Sequence, residues 1–222
     1  MNYRLKLLAF LILALAVGVI SDLGYSALNT LSRLNVVEAE RDQWQRPGDV
    51  IQALDLMPGN TVVDLGCGSG YFTLKLSGRV GAGGRVIAED IRRLPLAFLW
   101  YRAASRHQSN VRIVHGDAND PHLPARVNAV LIANTYHEFT DSHAILAHVY
   151  PSLVSGGRLV VVDRAPRPGS NPAAQFSEHE ISADQVENEI RQARFAIVSR
   201  QDRFIENDPG GERWWLVVAR KP

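Results

Sequence analysis

Three glycines alternate with other residues in VVDLGCGSGYF, residues 62–72. Gly66, Gly68 and Gly70 follow a short apolar run, and glycines at such positions let the backbone approach a bound ligand closely. A helix that begins at this turn offers unpaired N–H groups to a carboxylate. Asp64 adds a negative charge two residues before the first glycine. The stretch therefore favours a ligand that carries both an ammonium and a carboxylate over a phosphate.

The glycine spacing distinguishes this loop from two phosphate-binding loops. The dinucleotide fingerprint has the pattern G-x-G-x-x-G, whereas the third glycine here comes one residue earlier. A P-loop requires Gly-Lys followed by Ser or Thr, which the chain lacks after Gly70. A nicotinamide dehydrogenase is therefore disfavoured. Cys67 is the only cysteine, which excludes a multi-cysteine metal site, and we interpret it as a small spacer in the loop.

The segments that would position this loop alternate between strand-like and helix-like patterns from residue 39 onward. Such alternation is typical of α/β sheets with helices on both faces, whose ligands bind at the carboxyl ends of the strands. The last two strand-like segments are joined by a hairpin. The predicted strands are residues 61–65, 84–90, 111–117, 127–134, 158–163, 195–205 and 213–221, and the predicted helices are 46–56, 71–80, 94–105, 141–153 and 182–193.

With an acid before a G-x-G-x-G turn, VVDLGCGSGYF resembles motif I of the class I S-adenosylmethionine-dependent methyltransferases. LVSGGRLVVVD, residues 153–163, is similar to the helix end, Gly-Gly turn and fifth strand of the same family, and the resemblance extends over about residues 41–220. It implies an α/β fold with a Rossmann-like, mostly parallel seven-stranded sheet that ends in an antiparallel hairpin. It also implies S-adenosyl-L-methionine as the cofactor and an enzyme that methylates a small molecule.

The resemblance assigns cofactor contacts to residues that follow the first four strands. Asp90 ends the second strand and corresponds to the acid that binds the ribose hydroxyls, with Glu89 as the competing candidate. Asp117 corresponds to the acid that meets the adenine amino group, and Ala118 is its neighbour on the adenine face. The predicted cofactor-binding residues are Asp64, Gly66, Cys67, Gly68, Gly70, Asp90, Asp117, Ala118 and Asn134.

The acceptor side of this family is built largely from the segment after the fourth strand, here NTYHEF, residues 134–139. We predict that Tyr136 and His137 are catalytic, with His137 as the base because imidazole titrates near neutral pH. The competing interpretation is that His137 starts a helix and is capped by Glu138 and Asp141. The other histidines lack the sequence spacing of a metal site, so no metal is predicted.

The N-terminus differs from the rest of the chain in charge and apolarity. Arg4 and Lys6 precede an apolar run from Leu7 to Ile20, which is the pattern of a signal peptide or a membrane anchor. The run is short for a spanning helix. We favour an uncleaved anchor that associates with the membrane through residues 5–23, and the alternative is an exported, periplasmic domain left after signal cleavage.

We predict three parts of the chain: an anchor or signal segment (1–27), a linker (28–40) and a methyltransferase domain that binds S-adenosylmethionine (41–222). Positive charge before the apolar run favours export of the domain, whereas S-adenosylmethionine is made in the cytoplasm, so the side of the membrane stays open. The helix over residues 94–105 is apolar and aromatic, and it either is buried or faces lipid or a lipophilic acceptor.

The formal net charge is +1, and the lysines and arginines are scattered, so the sequence gives no indication of a nucleic-acid partner. A small and, given the predicted anchor, lipophilic acceptor is the expected partner. The competing function is a module at the membrane that binds the cofactor without catalysis. The acceptor atom and the oligomeric state stay open.

Overall fold

The structure, a computed structural model, describes residues 25–26, 29–206 and 208–222. The predicted anchor therefore lies outside the described residues, apart from Tyr25 and Ser26. Within the described ranges, no helix is both long enough and apolar enough to cross a membrane. The chain divides into two compact units, Met1–Gln43 and Trp44–Pro222. Residues 29–44 are helical and are labelled α1.

One sheet runs through the second unit. Its strands are β1 (Thr61–Leu65), β2 (Arg85–Asp90), β3 (Val111–His115), β4 (Val127–Ala133), β5 (Leu153–Arg164), β6 (Ala196–Ile205) and β7 (Trp214–Arg220). Their order in the sheet is β3-β2-β1-β4-β5-β7-β6. The first five strands are parallel, and β7 lies antiparallel between β5 and β6. The predicted α/β class, with its mostly parallel seven-stranded sheet and antiparallel end, is confirmed.

Helices cover both faces of this sheet. They are α2 (Pro47–Ala53), α3 (Tyr71–Val80), α4 (Arg93–Ser105), α5 (Ser142–Ser152), α6 (Pro172–Ser177) and α7 (Ala183–Gln192), with a 3₁₀ helix at Tyr136–Glu138. Val62 belongs to the hydrophobic core formed with α2 and α3, whereas its neighbour Val63 belongs to the core formed with α5 and α7. Successive strand residues point to opposite faces, so each face buries its own core.

The fifth strand is longer than the sequence predicts. It begins at Leu153, directly after α5, and includes the Gly-Gly pair that the sequence pattern assigns to a turn. Leu153 pairs with Val127, and a register shift then realigns the two strands at Ala129 and Arg158. The extra residues on β5 form a bulge, in which Gly156 adopts a φ of +79°. These glycines therefore serve the strand instead of ending the helix.

The strand order reverses at β1, which lies between β2 and β4. The glycine loop follows β1, and residues 134–139 follow β4, so both loops meet at the carboxyl edge of the sheet. Ligands of open α/β sheets bind in the crevice at such a switch point. The fold thereby brings together the loop, the end of β2 and the segment after β4.

Candidate functional site

The glycine loop is held by hydrogen bonds from the end of β2. The backbone N–H groups of Gly66 and Cys67 donate to the carbonyl oxygen of Glu89 at 2.9 and 2.8 Å. The N–H of Gly68 donates to Oδ2 of Asp90 at 2.8 Å. Gly66, Gly68 and Gly70 have φ values of +74°, +54° and +94°, which favour glycine over residues that carry a Cβ.

Two of the three glycines also leave no room for a side chain. A Cβ on Gly66 would lie 2.2 Å from Cγ2 of Thr135, in the loop after β4. A Cβ on Gly70 would lie 2.4 Å from Cδ1 of Leu99 on α4. The loop therefore packs against its neighbours through backbone atoms, which keeps its outer surface close to any ligand in the crevice.

Asp90 is 2% exposed and accepts hydrogen bonds from the glycine loop and from Arg92. Besides Gly68, the N–H of Arg92 donates to its Oδ1 at 2.8 Å, and the Arg92 Nε donates to the same oxygen at 3.2 Å. The hydrogen bond to Asp90 raises the pKa of Arg92. The carboxylate at the end of β2 thus fixes the loop in place as well as lining the crevice.

A cleft, which we call the cofactor cleft, lies beside the loop at the ends of β1, β2 and β4. Of the predicted cofactor-binding residues, it brings together Gly66, Asp90, Asp117 and Ala118. The Asp117 side chain is 72% exposed and lies 3.1 Å from Nε2 of His122. Apolar walls, provided in part by Ala118, Phe139 and Ile145, alternate with these acids. Such a lining suits a nucleoside, which offers an apolar base and donor hydroxyls.

Two predicted cofactor residues lie behind the loop instead of along the cleft. The buried Asp64 carboxylate accepts a hydrogen bond from the Thr73 hydroxyl of α3 at 2.5 Å. Cys67 is buried against Leu74 and Leu99. Burial raises the pKa of the Cys67 thiol, which therefore stays protonated and is no nucleophile. In this structure both side chains support the loop.

Asn134, a predicted cofactor residue, does not line the cofactor cleft but directly precedes Thr135, which does. Asn134 has a φ of +55°, and its N–H donates to the carbonyl oxygen of Val162 at 2.8 Å. Its side-chain Oδ1 is buried and has no hydrogen-bond partner within the described part of the chain. A buried acceptor without a donor costs roughly 1 to 3 kcal/mol. A ligand donor such as an ammonium would remove this cost, so the residues present fit an amino-acid cofactor.

Glu89 is the most strongly perturbed acid of the cofactor cleft. Burial raises its pKa to about 7, and the hydrogen bond from the N–H of Gly66, 3.4 Å from Oε2, opposes this effect in part. The charges of Asp90 and Asp64 act in the same direction as burial. At neutral pH its carboxyl is therefore divided between the protonated and the ionised form.

We expect Glu89→Gln to stabilise the protein at alkaline pH. The folded-state pKa lies above the unfolded value, so Glu89 reduces stability progressively as the pH rises from about 4.5 to 7. The loss is on the order of 3 kcal/mol, and glutamine avoids it. Thermal unfolding should give the variant a Tm roughly 6 to 12 °C higher at pH 8 and little changed at pH 4.5. A Tm difference independent of pH, or one shared by the exposed control Glu206→Gln, would contradict this expectation.

The segment after β4 carries a histidine and carboxylate pair. Nδ1 of His137 lies 2.8 Å from Oδ1 of Asp163 at the end of β5, and both side chains are buried. Oδ2 of Asp163 also accepts from the His137 N–H at 3.2 Å. With the proton on Nδ1, the Nε2 lone pair of His137 is free to take up another proton. Sequence reasoning missed Asp163, although an acid at the end of a strand was a visible signal.

A second cavity, which we call the acceptor cavity, lies on the other side of the 3₁₀ helix. It is lined by Tyr136 and His137 and shares Phe139 with the cofactor cleft. The Tyr136 hydroxyl donates to Oε2 of Glu189 at 2.7 Å. Burial, followed by this hydrogen bond, raises the pKa of Tyr136, so its phenol acts as a donor at neutral pH. The catalytic roles of Tyr136 and His137 stay predictions.

A group of possible metal ligands borders the same histidine. Single ligand atoms from His137, Glu138 and His179 all lie within 4.8 Å of one another. The rings of His137 and His179 meet edge to face, with centroids 5.2 Å apart. The two histidines are far apart in sequence, so spacing rules could not find this group.

Residues 62–157 match the family model described as "Methyltransferase domain". Among solved structures, one similar to this chain is a SAM-dependent methyltransferase from Aquifex aeolicus. The match has a TM-score of 0.69 at 22% identity and covers 85% of this chain and 97% of the other. This likeness supports the fold.

Two curated relatives extend the comparison. A 2-phytyl-1,4-naphtoquinone methyltransferase of Thermosynechococcus vestitus is 32% identical over 126 residues, which are 56% of this chain and 55% of that protein. A ubiquinone/menaquinone biosynthesis C-methyltransferase UbiE of a Marinomonas strain is 28% identical over 179 residues, 80% of this chain and 65% of that protein. The matched region thus spans between about half and two thirds of these relatives.

Proposed function

We propose that this chain, which carries a class I S-adenosylmethionine-dependent methyltransferase domain, transfers a methyl group to a small lipophilic acceptor. The cofactor cleft is the single observation that carries the proposal. It places the backbone of the glycine loop beside Asp90 and Asp117 at the switch point of the sheet. The catalytic domain would comprise residues 41–222. The names of the relatives give no support to the competing module without catalysis.

Three residues would hold the cofactor. Asp90 would accept the ribose hydroxyls, Asp117 the adenine amino group, and the unpaired Oδ1 of Asn134 a donor of the amino-acid end. The bound cofactor supplies an electrophilic methyl group on a sulfonium sulfur. The protein's contribution is then to orient the acceptor and to manage its proton.

His137 would manage that proton. Asp163 holds the imidazole through Nδ1, so Nε2 can accept the proton of an acceptor hydroxyl, and the buried carboxylate stabilises the imidazolium that forms. Loss of this proton makes a hydroxyl oxygen, or a ring carbon conjugated to it, a better nucleophile. The nearby Tyr136 phenol is a donor and would hold polar groups in place.

The names of two relatives support a choice of acceptor class. One is named for a phytyl naphthoquinone and the other for ubiquinone and menaquinone biosynthesis. A reduced, substituted naphthoquinone has both a lipophilic body and hydroxyls that His137 could deprotonate. We propose this aromatic hydroxyl class for the present chain.

The function is tested with purified full-length protein. Calorimetry is expected to show that the protein binds S-adenosylhomocysteine and does not bind NAD. Incubation with S-adenosylmethionine carrying a labelled methyl group and a reduced, substituted naphthoquinone should then move the label into the organic phase. Binding of S-adenosylhomocysteine without transfer to any quinol or phenol would favour the inactive module, and absence of binding would refute the whole proposal.

We also propose that the protein works at a membrane surface. Helix α4 exposes Leu94 (68% exposed) and Trp100 (66%) on its outer face, and Tyr101 lies beside them. Residues 91–116 contain five arginines and no acidic residue. Arg93, Arg106 and Arg112 of this segment are exposed. Aromatic and basic side chains on one surface helix are typical of helices that lie on anionic lipid.

The start of α4 lies near the cofactor cleft, because Ile91 and Arg92, which directly precede the helix, line the cleft. The predicted anchor, residues 1–27, would keep the domain close to the same surface. The interpretation that this helix is buried holds for Leu96 and Leu99 but not for its outer face.

A spin label on Leu94→Cys is expected to enter the lipid phase. With vesicles that contain anionic phosphatidylglycerol, its collisions with oxygen should rise and those with a water-soluble nickel complex should fall. Val198→Cys, an exposed apolar position on β6, is the matched control, and buried Cys67 should escape labelling. Equal accessibility of the two labels in these vesicles would reject membrane contact through α4, whatever residues 5–23 do.

A further inference from the structure

The ring of His137 is fixed in an orientation that suits a metal ligand. Its Nδ1 is engaged by the fully buried Asp163 at 2.8 Å, and its side chain is only 2% exposed. Histidines that bind metals usually donate their other ring N–H to a carboxylate, which fixes the tautomer and raises the basicity of the ligating nitrogen. Asp163 provides this arrangement and directs the reactivity of the ring to Nε2.

Two further candidate ligands lie near this nitrogen. Oε1 of Glu138 is 3.9 Å from Nε2 of His137, and one nitrogen of His179 completes a group within 4.8 Å. Donors that share one Zn²⁺ at about 2.0 to 2.1 Å must come somewhat closer together than this. Glu138 and His179 are exposed side chains, so rotation about their own bonds can close the group while His137 stays in place.

The backbone of His179 adopts a left-handed conformation. Its φ is +58°, an uncommon value for a residue with a Cβ. The next residue, Glu180, is buried and receives the N–H of Arg167 at 3.0 Å and its guanidinium at 3.2 Å. These contacts anchor the loop before α7, and they present His179 to His137.

We infer that His137, Glu138 and His179 form a site for a divalent cation of the zinc class, a function beyond the proposed methyl transfer. Two imidazoles and one carboxylate are a ligand set of catalytic zinc sites, which keep a fourth position for water or another ligand. The single carboxylate leaves the site with a net positive charge when the ion is bound. Because the ion uses the lone pair of Nε2, metal binding and proton uptake at that atom exclude each other.

Zinc titration of the full-length protein tests this site. Calorimetry with ZnCl₂ is expected to show one equivalent bound, and Co²⁺ should give the visible absorption bands of an ordered site. His179→Ala should weaken Zn²⁺ binding at least 10-fold and remove the Co²⁺ bands. His143→Ala, an exposed histidine on α5, is the matched control and should bind like the wild type.

Absence of Zn²⁺ binding, or equal affinities of the His179→Ala and wild-type proteins, would overturn the inference. Asp163→Glu is a second variant that keeps a carboxylate but displaces it, and it should weaken Zn²⁺ binding about 10-fold or more. S-adenosylhomocysteine affinity, measured on the same samples, separates the two proposals. Zinc binding without S-adenosylhomocysteine binding would refute the methyltransferase and leave the cation site standing.

Discussion

Asp90→Ala is expected to lower the affinity for S-adenosylhomocysteine by at least about 100-fold. The carboxylate would accept hydrogen bonds from the ribose, and it already accepts one from the N–H of Gly68. Its removal thus costs ligand contacts and releases the glycine loop. Hydrogen bonds to a charged group contribute about 1.5 to 3 kcal/mol each, so the loss of two accounts for this factor.

Calorimetry on folded protein checks this result, with circular dichroism to confirm that the variant retains its structure. Glu206→Ala is the control. Glu206 is an exposed acid that pairs with Arg203 and is distant from Asp90 in sequence, so this variant should bind S-adenosylhomocysteine like the wild type. If Asp90→Ala bound S-adenosylhomocysteine like the wild type, the ribose contact would be assigned to Glu89, the competing candidate. In that case Glu89→Gln should lower the affinity for S-adenosylhomocysteine instead.

His137→Asn is expected to reduce kcat for methyl transfer by about 10² to 10⁴, the usual contribution of a general base. Asparagine can still donate a hydrogen bond to the buried Asp163, which avoids an unpaired carboxylate, but it cannot take up a proton at neutral pH. The affinity for S-adenosylhomocysteine should stay unchanged, because His137 does not line the cofactor cleft.

Rates are best followed as label transferred to the acceptor under saturating cofactor. His143→Ala is the control for loss of an imidazole. An unchanged kcat in His137→Asn would show that His137 is not the general base. The transfer would then depend only on how the protein orients the acceptor and the cofactor.

The local features of the site were readable from the sequence, because they depend on neighbours along the chain. The glycine loop and the acid at the end of β2 fall within one strand–helix–strand unit, formed by β1, α3 and β2. Asp64, which was predicted as a cofactor contact, is an exception. It shares the parity of Val62 in β1, so strand alternation sends its carboxylate to the face covered by α3, where it accepts from Thr73.

The contacts between distant segments could not be read in the same way. Asp163 meets His137 only because β5 is placed beside β4, and His179 reaches them from the loop before α7. For α4, the sequence pattern is apolar on more than one face. Only the packing decides that Leu96 and Leu99 face inward while Leu94 and Trp100 face solvent.

The packing of Gly66 on Thr135 limits how the site can be altered. The loop that would hold the cofactor and the loop that would hold the acceptor are in van der Waals contact at this point. Grafting a different acceptor loop onto this scaffold would require a residue no larger than threonine at position 135. Otherwise the new loop would displace the glycine turn, and a change intended to alter the choice of acceptor would also lower the affinity for the cofactor.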